Sequence, residues 1–104
     1  MNIQNISDSE LEQKLQENPK VIIKFYANWC GSCKLFAPKY KRLSQEDTYE
    51  SVLFLEIDAE ANPESRKLAG VDNLPFFATF KEGKLLNGGS AAKEEWVRTL
   101  LSEL

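Results

Sequence analysis

The chain has no histidine and only two cysteines, and both shortages narrow its chemistry before any pattern is read. A structural zinc site draws four ligands mostly from Cys and His. Here it would need two carboxylates beside both cysteines, an unusual set. No apolar run approaches the roughly 18 residues needed to span a bilayer, and the start, Met1 to Ile6, lacks a basic stretch leading into an apolar one. A soluble, cytoplasmic protein with no membrane partner is therefore expected, although a mature secreted domain freed of its signal peptide reads the same. Positive charge is not in excess either. The net charge of −3 offers no long-range attraction to a phosphate backbone, so nucleic acid is not an expected partner. No repeat, low-complexity segment or Ser- or Pro-rich tract interrupts the 104 residues, of which 42% are hydrophobic and 28% charged. That composition predicts one folded domain over residues 1–104, large enough to bury a core without a crosslink or a metal.

Both cysteines fall in one run, Trp29-Cys30-Gly31-Ser32-Cys33-Lys34, between an apolar stretch, Val21 to Tyr26, and a helix predicted to begin around Cys33. Two thiols separated by two residues on the first turn of a helix can close into a disulfide. The first is also acidified. Cys30 sits at the helix start, where unpaired N–H groups and the positive end of the macrodipole favour an anion, so its thiolate is populated near neutral pH. A thiolate is the species that attacks a disulfide, and an acidified thiol is also a good leaving group. The blander alternative is a passive structural disulfide. A staple across two residues closes a very small loop, however, and adds little stability. The run is a candidate redox centre, with Cys30 as nucleophile and Cys33 as resolving thiol.

Hydrophobic periodicity orders the rest. Ser7-Asp8-Ser9-Glu10 matches a capping box and opens a helix that carries Leu11 and Leu15 and ends near Asn18-Pro19. Val21 to Tyr26 is nearly continuous in apolar residues, as in a strand covered on both faces. A second helix runs from about Cys33 to Gln45, with Phe36, Tyr40 and Leu43 toward the core and Pro38 bending it. Lys34, Lys39, Lys41 and Arg42 read most simply as its solvated face, with weak steering toward an acidic protein as the alternative. Val52 to Ile57 forms the next strand, and Asn62-Pro63 opens a short helix that carries Leu68 and Ala69 and stops at Gly70. Phe76 to Phe80, the turn Lys81 to Lys84 and Leu85-Leu86 make a hairpin. A last helix, Lys93 to Leu104, carries Val97, Leu100, Leu101 and Leu104 on one stripe. The succession of strands and helices predicts an α/β fold: a mixed sheet, parallel first and antiparallel last, between helices.

Over nearly its whole length the chain resembles the thioredoxin family. The family's Trp-Cys-Gly-Pro-Cys-Lys is matched by Trp29 to Lys34, preceded by Phe25-Tyr26-Ala27. Pro38 stands five residues after Cys33, and Asn62-Pro63, Leu74-Pro75, Gly83 and one of Gly88 or Gly89 recur at family spacing. The resemblance implies the thioredoxin fold, a central mixed sheet of four to five strands flanked by about four helices. It implies a thiol-disulfide oxidoreductase that reduces protein disulfides, with no metal or organic cofactor, acting as a monomer and fed by an NADPH-dependent thioredoxin reductase. Leu74-Pro75 is expected to be cis and to face the disulfide, where an ordinary X-Pro bond is usually trans. The exposed backbone of Leu74 then pairs with an extended substrate, and Trp29, Gly31, Val71, Leu74 and Gly89 surround Cys30 as an apolar platform. Trp29 as a plain core aromatic is the alternative. A dedicated-partner reductase, a mild oxidant and a redox-sensitive binding module remain as other readings of the same fold.

Three departures stand out. The family's buried Asp, six residues before the first cysteine, is Lys24 here, and a Lys of bacterial-type thioredoxins, nineteen residues before the proline, is Glu56. Each is the only charge in an apolar strand, and a lone buried charge is costly unless paired. The expectation is an ion pair beneath the active site, with Glu56 accepting a proton through water and Lys24 favouring the Cys33 thiolate. The alternative is that both side chains snorkel to the strand ends. Ser32 replaces the family's proline between the cysteines. Beside Gly31 it leaves the first turn more flexible and adds an N–H and a hydroxyl that solvate a thiolate, making the reduction potential less negative than about −270 mV. Phe76, where the family mostly has Thr, is expected to narrow or redirect substrate choice.

Overall fold

The computed structural model describes residues 3–104; Met1 and Asn2 lie outside the described residues. Five strands, β1 (Gln4–Asn5), β2 (Lys20–Tyr26), β3 (Leu53–Asp58), β4 (Phe76–Lys81) and β5 (Lys84–Gly89), form one sheet in the order β1-β3-β2-β4-β5. The first three run parallel, while β4 is antiparallel to both β2 and β5. Four helices flank the sheet: α1 (Asp8–Glu17), α2 (Gly31–Ser44), α3 (Pro63–Ala69) and α4 (Glu94–Ser102). A short 3-10 turn, Asp47–Tyr49, joins α2 toward β3.

Side chains alternate across a strand, so the apolar run of β2 serves two cores. Val21, Ile23 and Phe25 pack with Leu11 and Leu15 of α1 and Ala69 of α3. Ile22 packs on the opposite face with Phe36, Tyr40 and Leu43 of α2 and Val97, Leu100 and Leu101 of α4. Coverage on both faces is why β2 and β3 read as continuous rather than alternating hydrophobic stretches. Tyr40 is fully buried, and its hydroxyl lies 2.9 Å from the Leu55 carbonyl and 3.2 Å from that of Ile22. This ties the middle of α2 to the two central strands.

The helix starts are held by specific acceptors. The Glu10 carboxylate accepts the Ser7 N–H at 3.0 Å, the reach-back of a capping box. The starts of α1 and α3 also cap each other. Asn62 Oδ1 accepts the Asp8 N–H at 2.7 Å, while the Asp8 carboxylate accepts the N–H groups of Glu64 at 3.1 Å and Ser65 at 2.7 Å. In the β4–β5 turn both Glu82 and Gly83 take positive φ, as a two-residue hairpin with matching twist requires. The Glu82 N–H is bound by the Pro19 carbonyl at 2.9 Å, which holds a non-glycine residue there.

Several boundaries differ from the sequence reading. Helix α2 begins at Gly31, two residues before Cys33, because the Cys30 sulfur serves as its N-cap and starts the turn earlier. Strand β5 continues past Leu86 to Gly89, held by pairing with β4. Helix α4 ends at Ser102, leaving Leu104 beyond it but still packed on the α2–α4 core. In α3 the buried residues are Ser65 and Ala69, whereas Leu68 is exposed.

Candidate active site

Cys30 and Cys33 are joined in a disulfide at the C-terminal end of β2, their Cα atoms 5.3 Å apart. The Cys30 sulfur accepts the N–H of Cys33 at 3.2 Å, and the Ser32 hydroxyl lies 3.6 Å from the same sulfur. A sulfur in that position meets the unpaired N–H groups of the first helical turn, which stabilise the anion it becomes on reduction. Gly31 and Ser32 are exposed between two buried cysteines. Space around Gly31 is open on the side where a Cβ would point, so a substrate chain can approach there closely.

The surrounding residues are distributed unevenly. Leu74 and Tyr26 pack directly on the cluster formed by Ala27 and the two cysteines. The Leu74-Pro75 peptide is cis, and Pro75 is buried at the entry to β4. The Leu74 N–H is bonded to the Asn73 side-chain oxygen at 2.9 Å, so a substrate backbone must displace that exposed side chain to use it. Trp29 is 67% exposed, not a core aromatic, and its indole N–H donates to the Glu60 carboxylate at 2.7 Å. Val71 packs instead on the α1–α3 core. Gly89 pairs with Phe77, and the Trp96 indole covers it so closely that a Cβ would come within 2.8 Å of the ring. Phe76 stacks edge-on to Phe25 inside the core, so its ring meets β2 rather than solvent.

Lys24 and Glu56 are register partners in the parallel β2–β3 ladder. Lys24 is 2% exposed, and its Nζ lies 3.5 Å from the Glu56 carboxylate, whose side chain is about a quarter exposed. The ammonium also stands 5.8 Å from the centre of the Tyr40 ring. Burial pushes the Lys24 amine below its ordinary value, and the adjacent Glu56 carboxylate partly opposes that. Burial, with the Glu56 charge, raises the Tyr40 phenol well above its ordinary value. An open cavity of about 280 Å³ joins this pair to the second cysteine: Lys24, Glu56, Cys33, Tyr26 and Asn5 are all in its wall. Asn5 donates to the Tyr26 hydroxyl at 2.6 Å, which fixes that wall from the edge strand.

The thioredoxin family model matches residues 2–102. The chain belongs to the thioredoxin family. It is 33% identical over 97 residues to thioredoxin-1 of Schizosaccharomyces pombe, an alignment covering 89% of this chain and 92% of that protein. Against the F-type chloroplastic thioredoxin of Brassica napus the identity is 42% over 76 residues, 70% of this chain; the match spans 40% of that relative's length. Among solved structures, the oxidised form of mitochondrial thioredoxin 3 from Saccharomyces cerevisiae superposes with a TM-score of 0.90 at 29% identity, covering 98% of this chain and 95% of that one. The thioredoxin fold and the dithiol set at the start of α2 make this a thiol-disulfide oxidoreductase centre. Among the described residues no helix is long and apolar enough to cross a membrane.

No sequence pattern marks Glu60 or Asn5 as part of the site. Glu60 lies 31 positions from Trp29, and only the fold brings the two together. The helical spacing of Tyr40 places it in the core, but the partners of its hydroxyl are strand carbonyls that no sequence pattern marks.

Proposed function

We propose that this protein reduces disulfides of protein substrates, with Cys30 as nucleophile and Cys33 as resolving thiol. The Cys30 thiolate attacks one substrate sulfur, forming a mixed disulfide and expelling the other as a thiolate. The Cys33 thiolate then attacks Cys30, closing the internal disulfide and releasing the second substrate thiolate. Two electrons pass to substrate, and a reductase returns them. The observation that carries this reading is the Cys30 sulfur at the N-cap of α2 with Cys33 three residues on. Trp29, Gly31 and Leu74 form the near platform for the substrate, with Val71 and Gly89 at its margin. Phe76, pinned against Phe25, limits how the backbone beside Pro75 adapts to different substrates.

The charge pair works on the second step. Cys33 must lose its proton before it attacks, and it shares a cavity wall with Lys24 and Glu56. Lys24 stabilises the Cys33 thiolate, and Glu56, which retains access to solvent, accepts the proton through water held in the cavity. The cavity supports this role because about 280 Å³ exceeds the roughly 30 Å³ share of one water several-fold.

The electron donor in this reading is an NADPH-dependent thioredoxin reductase, the protein works as a monomer, and its compartment is the cytoplasm, where thiols are kept reduced. Reduction of insulin with NADPH and thioredoxin reductase tests all but the compartment and oligomeric state. Rapid turnover that is lost in Cys30→Ser supports the general reductant. Turnover with dithiothreitol alone points to a dedicated electron donor, and failure to exchange with any disulfide overturns the reading. Cys33→Ser is expected to accumulate the mixed disulfide and so to trap the physiological substrates.

A further inference from the structure

From Asn18 to Gln45 the chain contains no acidic residue, although acids outnumber bases overall and the net charge is −3. That acid-free stretch includes all of α2. Its exposed face presents Lys34, Leu35, Pro38, Lys39, Lys41 and Arg42. Residues spaced by three and four lie on one side of a helix, so Lys34, Pro38 and Lys41 form one row and Leu35, Lys39 and Arg42 the next. Arg42 is shared with Glu94 at 3.6 Å, but Lys34, Lys39 and Lys41 take part in no salt bridge among the described residues. Leu35 is 80% exposed in the middle of these cations.

The face is continuous with the redox centre. Lys34 follows Cys33 directly and lines the same cavity. Beside Trp29 the charge reverses: Asp58 ends β3, and Glu60, in the loop that follows, accepts the Trp29 indole N–H. A partner docking on the disulfide therefore meets cations and an exposed leucine along α2 and carboxylates near Trp29.

We propose that the exposed face of α2 is a docking surface for disulfide-bearing proteins with acidic residues beside the disulfide. The inference rests on the disulfide-reductase reading and adds to it the substrate class. An acidic flank laid over α2 satisfies Lys34, Lys39 and Lys41, and an apolar side chain beside it covers Leu35. Because the whole chain is negative, the local field of α2 sets this preference against the net charge, which alone favours basic substrates.

The test uses two synthetic peptides with the same looped disulfide, one flanked by glutamates and one by lysines. Each is mixed with the reduced protein in a single turnover, and loop opening is followed by chromatography. The glutamate peptide is expected to react about tenfold faster at low ionic strength. Near 0.5 M salt, where screening is strong, the ratio should fall to about one. The Lys39→Glu/Lys41→Glu double variant is expected to reverse the ratio, the milder Lys39→Gln/Lys41→Gln to reduce it, and Lys84→Glu on β5 to leave it unchanged. Equal rates, a faster lysine peptide, a salt-independent ratio or a ratio that survives the reversals overturns the proposal. A failure of the reductase reading is distinct: then neither peptide, nor the neutral hydroxyethyl disulfide, is reduced.

Discussion

The Lys24 ammonium meets the Glu56 carboxylate at 3.5 Å on the face of the sheet that carries Tyr40. The two ends of this pair are not equivalent, because Lys24 is buried while Glu56 keeps partial contact with solvent. Glu56→Gln leaves a buried ammonium without its counter-charge and is expected to cost about 1–3 kcal/mol, below the full cost of breaking a wholly buried pair. Lys24→Met leaves a carboxylate that water still reaches, so its cost is expected to stay under about 1 kcal/mol. Urea denaturation of the single and double variants measures the coupling. Additive effects on stability and on Cys33 alkylation rate would mean the pair does nothing together.

The same lysine makes stability depend on pH in the alkaline range. Its folded pKa is lowered, so between that value and the unfolded value of about 10.4 the unfolded chain binds more protons. Stability of the native protein relative to Lys24→Met is therefore expected to rise with pH through that window. A relative stability that falls as pH rises toward it contradicts the assignment.

Asp8 gives the opposite case at acid pH. Burial raises its carboxyl, but hydrogen bonds from the Ser65 hydroxyl and from the Ser65 and Glu64 amides outweigh that and hold it below its ordinary value. Its contribution is then present above the unfolded pKa and lost as pH falls through the folded one. Asp8→Ala is expected to cost about 1 kcal/mol at neutral pH, the usual worth of a cap. In acid-unfolding curves the difference between variant and native protein should shrink as Asp8 becomes protonated; a constant difference would mean the cap is not electrostatic.

Much of this was legible in the sequence, and the limits follow a physical rule. The elements, their order and the dithiol were readable because strands and helices announce themselves by local periodicity and caps. The cross-cap of Asp8 and Asn62 was not, since it joins residues 54 positions apart. Nor was the hydrogen bond between Trp29 and Glu60. The early start of α2 escaped because a cysteine is not among the usual capping residues, and here sulfur takes the place of an oxygen acceptor. Lys24 and Glu56 were legible as a pair because each interrupts an apolar strand; their register partnership needed the sheet.

Ser32 is expected to shift the redox balance. Its hydroxyl stands 3.6 Å from the Cys30 sulfur, close enough to approach a thiolate once the disulfide opens. A hydrogen bond to that charge, discounted for exposure to about 1 kcal/mol, favours the reduced form by about 20 mV. The native potential should lie above the roughly −270 mV of thioredoxin. Ser32→Ala, which keeps the N–H, should lower it, and Ser32→Pro should lower it further. Equilibration against glutathione or dithiothreitol buffers measures all three, and a native value at or below −270 mV would refute the expectation.

Gly89 tests the packing of β5 under α4. A Cβ there would come 2.8 Å from Trp96 Cζ2 and 3.0 Å from Cη2, so Gly89→Ala forces the indole off the strand. Overpacking of this kind typically costs about 1–3 kcal/mol. The variant should lose stability and change the near-ultraviolet signal of Trp96, which sits edge-on to Phe77. An unchanged spectrum would show that α4 yields without strain.

The nucleophile is also the cap of α2, so every change of oxidation state rewrites the first turn of that helix. Oxidised and reduced, folded and unfolded, are four corners of one thermodynamic square. The difference in unfolding free energy between the two oxidation states equals the difference in potential between the dithiol in the native chain and the same dithiol in the unfolded one. At about 1.4 kcal/mol per 30 mV for two electrons, a pair of denaturation curves serves as a potentiometer. Any substitution that strengthens the start of α2 in one oxidation state more than in the other is then a redox mutation, whether or not it lies near sulfur.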